Sequence, residues 1–113
     1  MEREKKILCS LIESASRNIN YMVNIGPMAD GTIPTPSVDI LKFVGNWMAV
    51  NSESIYGTEG NPFNDNFPWG YVTRKENNLY LHLTQCPQNN CILLKGLHSE
   101  IRQAMILATQ QTL

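Results

Sequence analysis

The sequence predicts an α+β chain, with helices around one buried strand in its first half and β-hairpin strands in its second half. Three observations support this. An amphipathic helical pattern covers residues 5–16, an apolar run rich in β-formers covers residues 20–25, and two-residue periodicity flanks a turn at residues 75–78. The change of period between the halves indicates two different layers of architecture.

Length and charge exclude several classes of protein. The 113 residues suit one modest domain or pieces of two, and a hydrophobic content of 42% suffices for a packed core. Nine basic and ten acidic residues give a net charge of −1 without a basic block, so we expect no nucleic-acid partner. The apolar stretch 7–12 is interrupted by Ser10 and is too short for a signal peptide or a membrane span. We therefore expect no membrane partner and no signal peptide.

Each predicted helix has one apolar face. In the first, over residues 5–16, that face comprises Ile7, Leu8, Leu11, Ile12 and Ala15. The second should span residues 36–50, with Thr35 as N-cap and Asp39 near the positive end of the helix dipole. Its predicted buried stripe is Ile40, Phe43, Val44, Trp47 and Met48. Gly45 interrupts this helix, and a close packing contact is the expected reason.

The run at residues 20–25 lacks clean polar alternation, which is typical of a strand covered on both faces in a parallel sheet. Gly26 and Pro27 end it, and the Asp30–Gly31 pair predicts a tight turn. The order is therefore helix, strand, loop, helix.

The second half begins with turn formers crowded into residues 52–68, which we interpret as a linker. Residues 71–74 and 79–84 then form a predicted hairpin, with Leu79, Leu81 and Leu83 sharing one face. Residues 91–94 and 101–107 are further strand candidates.

Several short motifs follow one another in a specific order between residues 5 and 107. They are Val23-Asn24-Ile25-Gly26-Pro27, Ala29-Asp30-Gly31-Thr32-Ile33-Pro34, Gly45-Asn46-Trp47, Ser54-Ile55-Tyr56-Gly57-Thr58, Trp69-Gly70, Thr73-Arg74-Lys75 and Leu79-Tyr80-Leu81-His82. The ordered set resembles the C-terminal portion of bacterial α-L-fucosidases of glycoside hydrolase family twenty-nine. One local departure is Ser52, which stands where the family usually has Gly, so we expect left-handed strain there.

The resemblance implies a fold and a division into domains. Residues 1–51 would be the last helix–strand–helix of a (β/α)₈-type barrel, residues 52–68 an interdomain linker, and residues 69–113 the first strands of an all-β sandwich. Both modules would be incomplete, and their uncovered edges lead us to expect self-association of the isolated chain.

The resemblance also implies a function, namely retaining hydrolysis of terminal α-L-fucose from fucosylated glycans. In that family the aspartate nucleophile and the acid/base carboxylate both lie upstream of the matched residues, so we expect no catalytic residue, no cofactor and no activity in this chain alone. The family's enzymes are often periplasmic, extracellular or lysosomal. The alternative is a noncatalytic carbohydrate-binding or interaction module.

Four residues of the loop after the predicted strand are candidates for substrate contact, because barrel enzymes build their sites from such loops. They are Asn24, Gly26, Pro27 and Asp30. For Asp30 a second interpretation is a turn former that accepts a hydrogen bond from the backbone two residues on.

Cysteines and aromatic residues leave further alternatives open. Cys86 and Cys91 could be free thiols, a disulfide, or zinc ligands together with His82 and His98. Cys9 is a small hydrophobe of the first helix. Trp69, Tyr71 and Tyr80 could form a sugar-stacking platform or pack inside the protein.

Overall fold

Two helices and two separate β-hairpins make up the computed structural model, which describes residues 2–63, 65–85, 89 and 91–113. In chain order the elements are α1 (Glu2–Ser16), α2 (Thr35–Asn51), a short 3₁₀ helix (Ser52–Ser54), β1 (Gly70–Lys75), β2 (Asn78–Leu83), β3 (Met105–Ile106) and β4 (Gln111–Thr112). Helix α1 contacts both α2 and β1, and the 3₁₀ helix contacts α2 and β1. In the described part of the chain, neither helix is long and apolar enough to cross a bilayer.

Helix α1 confirms the predicted amphipathic pattern. Ile12 on its apolar face is only 5% exposed, and on its other side Glu13 pairs with Arg17 at 3.1 Å, one turn apart. The helix ends at Ser16, Asn18 follows with a left-handed φ of 57°, and Ile19 N donates to Ser14 O at 2.9 Å. This reversal is the usual way to satisfy the last carbonyls of a helix.

Helix α2 forms where it was expected, but the prediction for its N-terminus was wrong. Pro34, not Thr35, takes the N-cap position, and no side chain caps the helix. Pro34 already has an extended backbone, and its carbonyl accepts hydrogen bonds from Ser37 N at 3.0 Å and Val38 N at 3.2 Å. Thr35 is therefore inside the helix, and Asp39 lies beyond its first turn.

The predicted apolar stripe of α2 is only half-buried. The expectation of close packing at Gly45 was wrong, because a Cβ built there meets nothing within 4 Å. Leu41 and Val50 are also exposed, at 41% and 53%. Part of α2 thus faces solvent in this chain.

The strand expected at residues 20–25 does not form. Residues 19–28, here called the unpaired segment, contain neither helix nor strand. Met22 is 92% exposed and Val23 41% exposed. A parallel strand needs neighbours brought from distant parts of a chain, and the described residues place no strand beside this segment.

The predicted hairpin is confirmed as β1–β2. The strands pair antiparallel from Gly70 opposite Leu83 to Lys75 opposite Asn78, so the turn has two residues, Glu76 and Asn77. Val72 on β1 is fully buried.

The other edge of β1 is also occupied. Arg74 N donates to Glu59 O at 2.9 Å and Glu59 N donates to Arg74 O at 2.6 Å, so β1 has backbone partners on both sides.

The left-handed strain expected at Ser52 is absent. Ser52 has a φ of −59° and a ψ of −30°, which are right-handed values that suit the 3₁₀ helix.

The last part of the chain differs from prediction. Residues 91–94 form no strand, and Leu93 O instead accepts a hydrogen bond from Trp69 Nε1 at 3.2 Å. The strand predicted at 101–107 is reduced to β3, which pairs with β4. Gln110 in the connecting turn has a left-handed φ of 59°.

Candidate functional site

The loop proposed to approach a sugar is closed by its own hydrogen bonds. Asp30 Oδ1 accepts from Thr32 N at 3.0 Å and from Thr32 Oγ1 at 2.6 Å, which confirms its interpretation as a turn former. These hydrogen bonds hold the pKa of the Asp30 carboxyl below its ordinary value. Ionised Asp30 therefore organises the turn before any ligand arrives.

Backbone hydrogen bonds also stabilise this turn. Met28 N donates to Thr32 O at 2.8 Å, and Gly31 N donates to Met28 O at 2.9 Å. Gly31 supplies a φ of 87°, which residues with a Cβ rarely adopt. The result is a compact exposed turn, whereas the preceding residues lie in the unpaired segment.

All four predicted loop residues are exposed. Asn24, Gly26, Pro27 and Asp30 follow one another along the same stretch, and a Cβ at Gly26 would meet nothing within 4 Å. Their contact with a sugar stays a prediction, because the arrangement leaves them accessible without assembling a pocket.

Two other carboxylates, those of Glu53 and Glu13, also make contacts within the chain. Glu53 Oε2 accepts from the Tyr80 hydroxyl at 2.8 Å, and Glu13 pairs with Arg17 on α1. A retaining glycosidase instead needs two carboxyl groups about 5–5.5 Å apart, facing one bond of the substrate. Glu13, Asp30 and Glu53 each serve a different local contact.

An aromatic cluster of Phe63, Phe67 and Trp69 lies beside the start of β1. Phe67 stacks on Trp69 at a centroid distance of 4.9 Å, and Phe63 meets Phe67 edge-on at 5.9 Å. Trp69 is only 6% exposed. This agrees with packing inside the protein and leaves Trp69 little free face on which a sugar could stack.

Tyr71 and Tyr80, the other two residues of the proposed platform, are half-buried. Desolvation raises the pKa of both phenols, and the hydrogen bond to Glu53 raises the pKa of Tyr80 further. Both hydroxyls therefore remain protonated at neutral pH.

An open cleft of about 600 Å³ lies beside this cluster, at the end of α1. It is lined by Ser16, Arg17, Asn61, Phe63, Asp65, Asn66, Phe67, Gly70 and Tyr71. The Asn61 amide is used internally, since Nδ2 donates to Asp65 O at 3.1 Å and Oδ1 accepts from Phe63 N at 2.8 Å. These contacts shape the loop that forms one wall of the cleft.

A buried polar junction joins the 3₁₀ helix to the hairpin. Thr73 Oγ1 donates to Ser54 O at 2.6 Å and lies 3.0 Å from His82 Nε2. Because the hydroxyl proton is directed at Ser54, His82 Nε2 donates to Thr73, and the neutral ring therefore carries its proton on Nε2. The ring of Trp47 lies 6.3 Å from that of His82. We call Trp47, Ser54, Thr73 and His82 the His82 junction.

Burial lowers the pKa of His82 to about 4, so the imidazole is neutral at neutral pH. Sequence reasoning considered His82 only as a possible metal ligand and missed this role. The two-residue period did place Tyr80 and His82 on one face. It could not show that this face meets α2 and the 3₁₀ helix.

The cysteine alternatives remain open. Cys86 lies outside the described residues, and both Cys91 and His98 are exposed. Within the described ranges, no cluster of three or more His, Cys, Asp or Glu side chains could hold a metal ion. The disulfide between Cys86 and Cys91 thus stays a prediction.

Comparison with known proteins gives consistent matches. The profile of the α-L-fucosidase family matches residues 1–53. An α-L-fucosidase of Dictyostelium discoideum is 34% identical over 93 residues, which cover 79% of this chain and 20% of that protein.

Solved structures give the same result. α-L-Fucosidase isoenzyme 1 of Paenibacillus thiaminolyticus is 36% identical, with a TM-score of 0.85 over 96% of this chain and 25% of its own. A family twenty-nine α-L-fucosidase of Bacteroides thetaiotaomicron, solved as a trapped covalent intermediate, has the same fold at 23% identity, with a TM-score of 0.87 and the same coverage. This chain therefore spans about a fifth of the curated relative and a quarter of these two structures.

Proposed function

Because this chain belongs to the α-L-fucosidase family, we propose that it is one part of a retaining α-L-fucosidase and carries neither catalytic carboxylate. The whole enzyme would hydrolyse terminal α-L-fucose from fucosylated glycans. A retaining mechanism uses one carboxylate as nucleophile and a second carboxyl group as acid and then base. On this proposal both belong to the remaining part of the enzyme.

The observation that carries the proposal is the extent of the structural match. Almost the whole chain, 96%, superposes on only 25% of the Paenibacillus enzyme, with a TM-score of 0.85. The local contacts of Glu13, Asp30 and Glu53 also favour structural roles for these acids. No cofactor is required for a carboxylate mechanism of this kind.

We further propose that residues 1–51 end a (β/α)₈-type barrel, that residues 52–68 link the domains, and that residues 69–113 begin a β-sandwich. The sequence of α1, unpaired segment and α2 has the order of a barrel repeat whose strand lacks neighbours. The antiparallel pairing of β1 with β2 and of β3 with β4 suits the start of a sandwich.

In the whole enzyme, Asn24, Gly26, Pro27 and Asp30 would lie at the mouth of that barrel. The closed turn at Asp30 supports a role in shaping the wall of the sugar pocket. In this chain the same residues would have no catalytic partner.

We also propose that the isolated chain self-associates. The unpaired segment exposes Ile19 at 58%, Met22 at 92% and Met28 at 55%, and exposed apolar residues of a segment outside any sheet favour pairing between chains. Sedimentation at increasing protein concentration should reveal this association, and Met22→Ser should weaken it. A concentration-independent monomer would refute it.

Incubation of the purified chain with a chromogenic α-L-fucoside tests the central proposal. The Paenibacillus enzyme serves as the positive control under identical conditions. We expect no hydrolysis above the blank, whereas reproducible turnover that Asp30→Asn abolishes would overturn the proposal. Saturable quenching of tryptophan fluorescence by fucose, without hydrolysis, would favour the alternative of a noncatalytic binding module.

A further inference from the structure

The His82 junction lies where the helical half of the chain meets the hairpin. Ser54 belongs to the 3₁₀ helix that continues α2, Thr73 to β1 and His82 to β2. All three are buried, with exposures of 3%, 0% and 8%. One hydrogen-bonded chain of two side chains, those of His82 and Thr73, and the backbone carbonyl of Ser54 thus ties three elements together.

The Nε2–H donor to Thr73 is present in both the neutral ring and the imidazolium, so what opposes protonation of His82 is the burial of the added charge. At 8% exposure, the site removes most of the hydration of an imidazolium. Trp47 gives little compensation, because its ring centroid is 6.3 Å from that of His82 and the planes are tilted by 39°. A strong cation–π contact needs the charge over the ring face within about 6 Å.

Neighbouring ionisable groups are engaged elsewhere. Glu53 of the 3₁₀ helix accepts the Tyr80 hydroxyl of β2, and Arg74 Nε of β1 donates to Glu76 O at 3.2 Å. On α2, Trp47 lies beside His82 and does not titrate. Burial and the Ser54 backbone, rather than a carboxylate, shift the pKa of His82.

We propose that the His82 junction is an acid-operated latch, in which protonation of His82 detaches the 3₁₀ helix and the end of α2 from the β1–β2 hairpin while both helices persist. The protonated ring moves toward solvent and leaves Thr73 and Trp47. Thr73 then exchanges its hydrogen bond to Ser54 O for one to water, because that bond joins the two elements that separate. The latch operates on this chain's own contacts, whatever the parent enzyme hydrolyses.

The direction of the pH response follows from the pKa of His82. Burial lowers this pKa from an ordinary value of 6.5 to about 4, so the open form binds the proton more tightly than the closed form. The closed latch is fully favoured above pH 6.5 and loses stability as the pH falls from there toward 4. Over this interval the opening equilibrium should shift on the order of a hundredfold.

A pH titration of the whole chain from 7.5 to 3.5 tests the latch, with tryptophan emission and far-UV circular dichroism recorded together. His82→Gln is the matched control, because Gln retains an N–H donor for Thr73 and does not titrate. Thr73→Ser, which keeps the hydroxyl, should retain the response, and Trp47→Phe should remove most of the emission change.

We expect the wild-type emission to change between pH 6.5 and 4 with the helical signal retained, and the His82→Gln emission to stay constant over that range. The proposal is overturned if His82→Gln shows the same transition, if helical signal is lost at the same pH, or if wild-type emission does not change. Should His82→Gln fail to fold, the NMR titration of the wild-type His82 ring decides, since a midpoint at 6.5 excludes a closed buried latch.

Discussion

The β1–β2 hairpin and the unpaired segment were both predicted to contain strands, but only the hairpin forms them. Val72 in the hairpin is fully buried, while Met22 in the unpaired segment is 92% exposed. The hairpin partner follows after a two-residue turn, so the pair forms from local sequence. As the proposed barrel strand, residues 20–25 would instead depend on parallel strands far away along a chain. Strand formation is thus limited here by the supply of partners.

The largest expected effect of a single substitution is that of Gly70→Ala. A Cβ at Gly70 would overlap the backbone oxygen of His82, which the paired strand cannot easily move. We expect unfolding free energy to fall by about 3 kcal/mol or more, as measured by urea denaturation. Gly26→Ala is the matched control in the unpaired segment, where nothing lies within 4 Å, and should change stability by less than about 0.5 kcal/mol. Equal losses of unfolding free energy in Gly70→Ala and Gly26→Ala would contradict the difference in packing between the hairpin and the unpaired segment.

Truncation of a valine in each region gives the next contrast. Val72→Ala removes two methyl groups from a site with 0% exposure and should cost about 2 kcal/mol, the combined loss of apolar burial and packing. Val23 is 41% exposed, and Val23→Ala should cost less than about 0.5 kcal/mol. Thermal denaturation of both variants checks this. A cost at Val23 that matched the cost at Val72 would mean that the segment is packed.

Gly45→Ala should give the smallest change, and of opposite sign. The residue lies inside α2 and faces open space, so alanine should stabilise the chain by about 0.5–1 kcal/mol through its higher helix propensity. Urea denaturation of Gly45→Ala and Gly70→Ala under the same conditions measures the change in unfolding free energy of each variant. Destabilisation by Gly45→Ala would indicate that α2 is covered on this side in solution.

Local features of the fold were predictable from sequence. The apolar period located α1 and α2 to within a few residues, and the turn at residues 75–78 located the hairpin. The interpretation of Asp30 as a turn former was also correct, because the hydrogen bonds that define the turn reach only two residues along the chain. The N-cap at Thr35 was wrong because the backbone of Pro34 fills that position.

Features that depend on tertiary partners were not predictable in the same way. The expected packing at Gly45 and the strand at residues 20–25 both needed elements that the described part of the chain does not supply. The His82 junction needed a helix face and a strand face to meet, which no local pattern in the sequence records. Contact of the Asn24–Asp30 loop with a sugar stays a prediction for the same reason.

Amide hydrogen exchange tests most directly whether the first half of this chain is a barrel piece without its neighbours. The account predicts little protection at residues 20–25 in the isolated chain, together with strong protection of those amides of β1 and β2 that bond across the hairpin. In the Paenibacillus enzyme the equivalent strand should be protected. Protection of residues 20–25 in the isolated chain at the level of β1 would contradict the account.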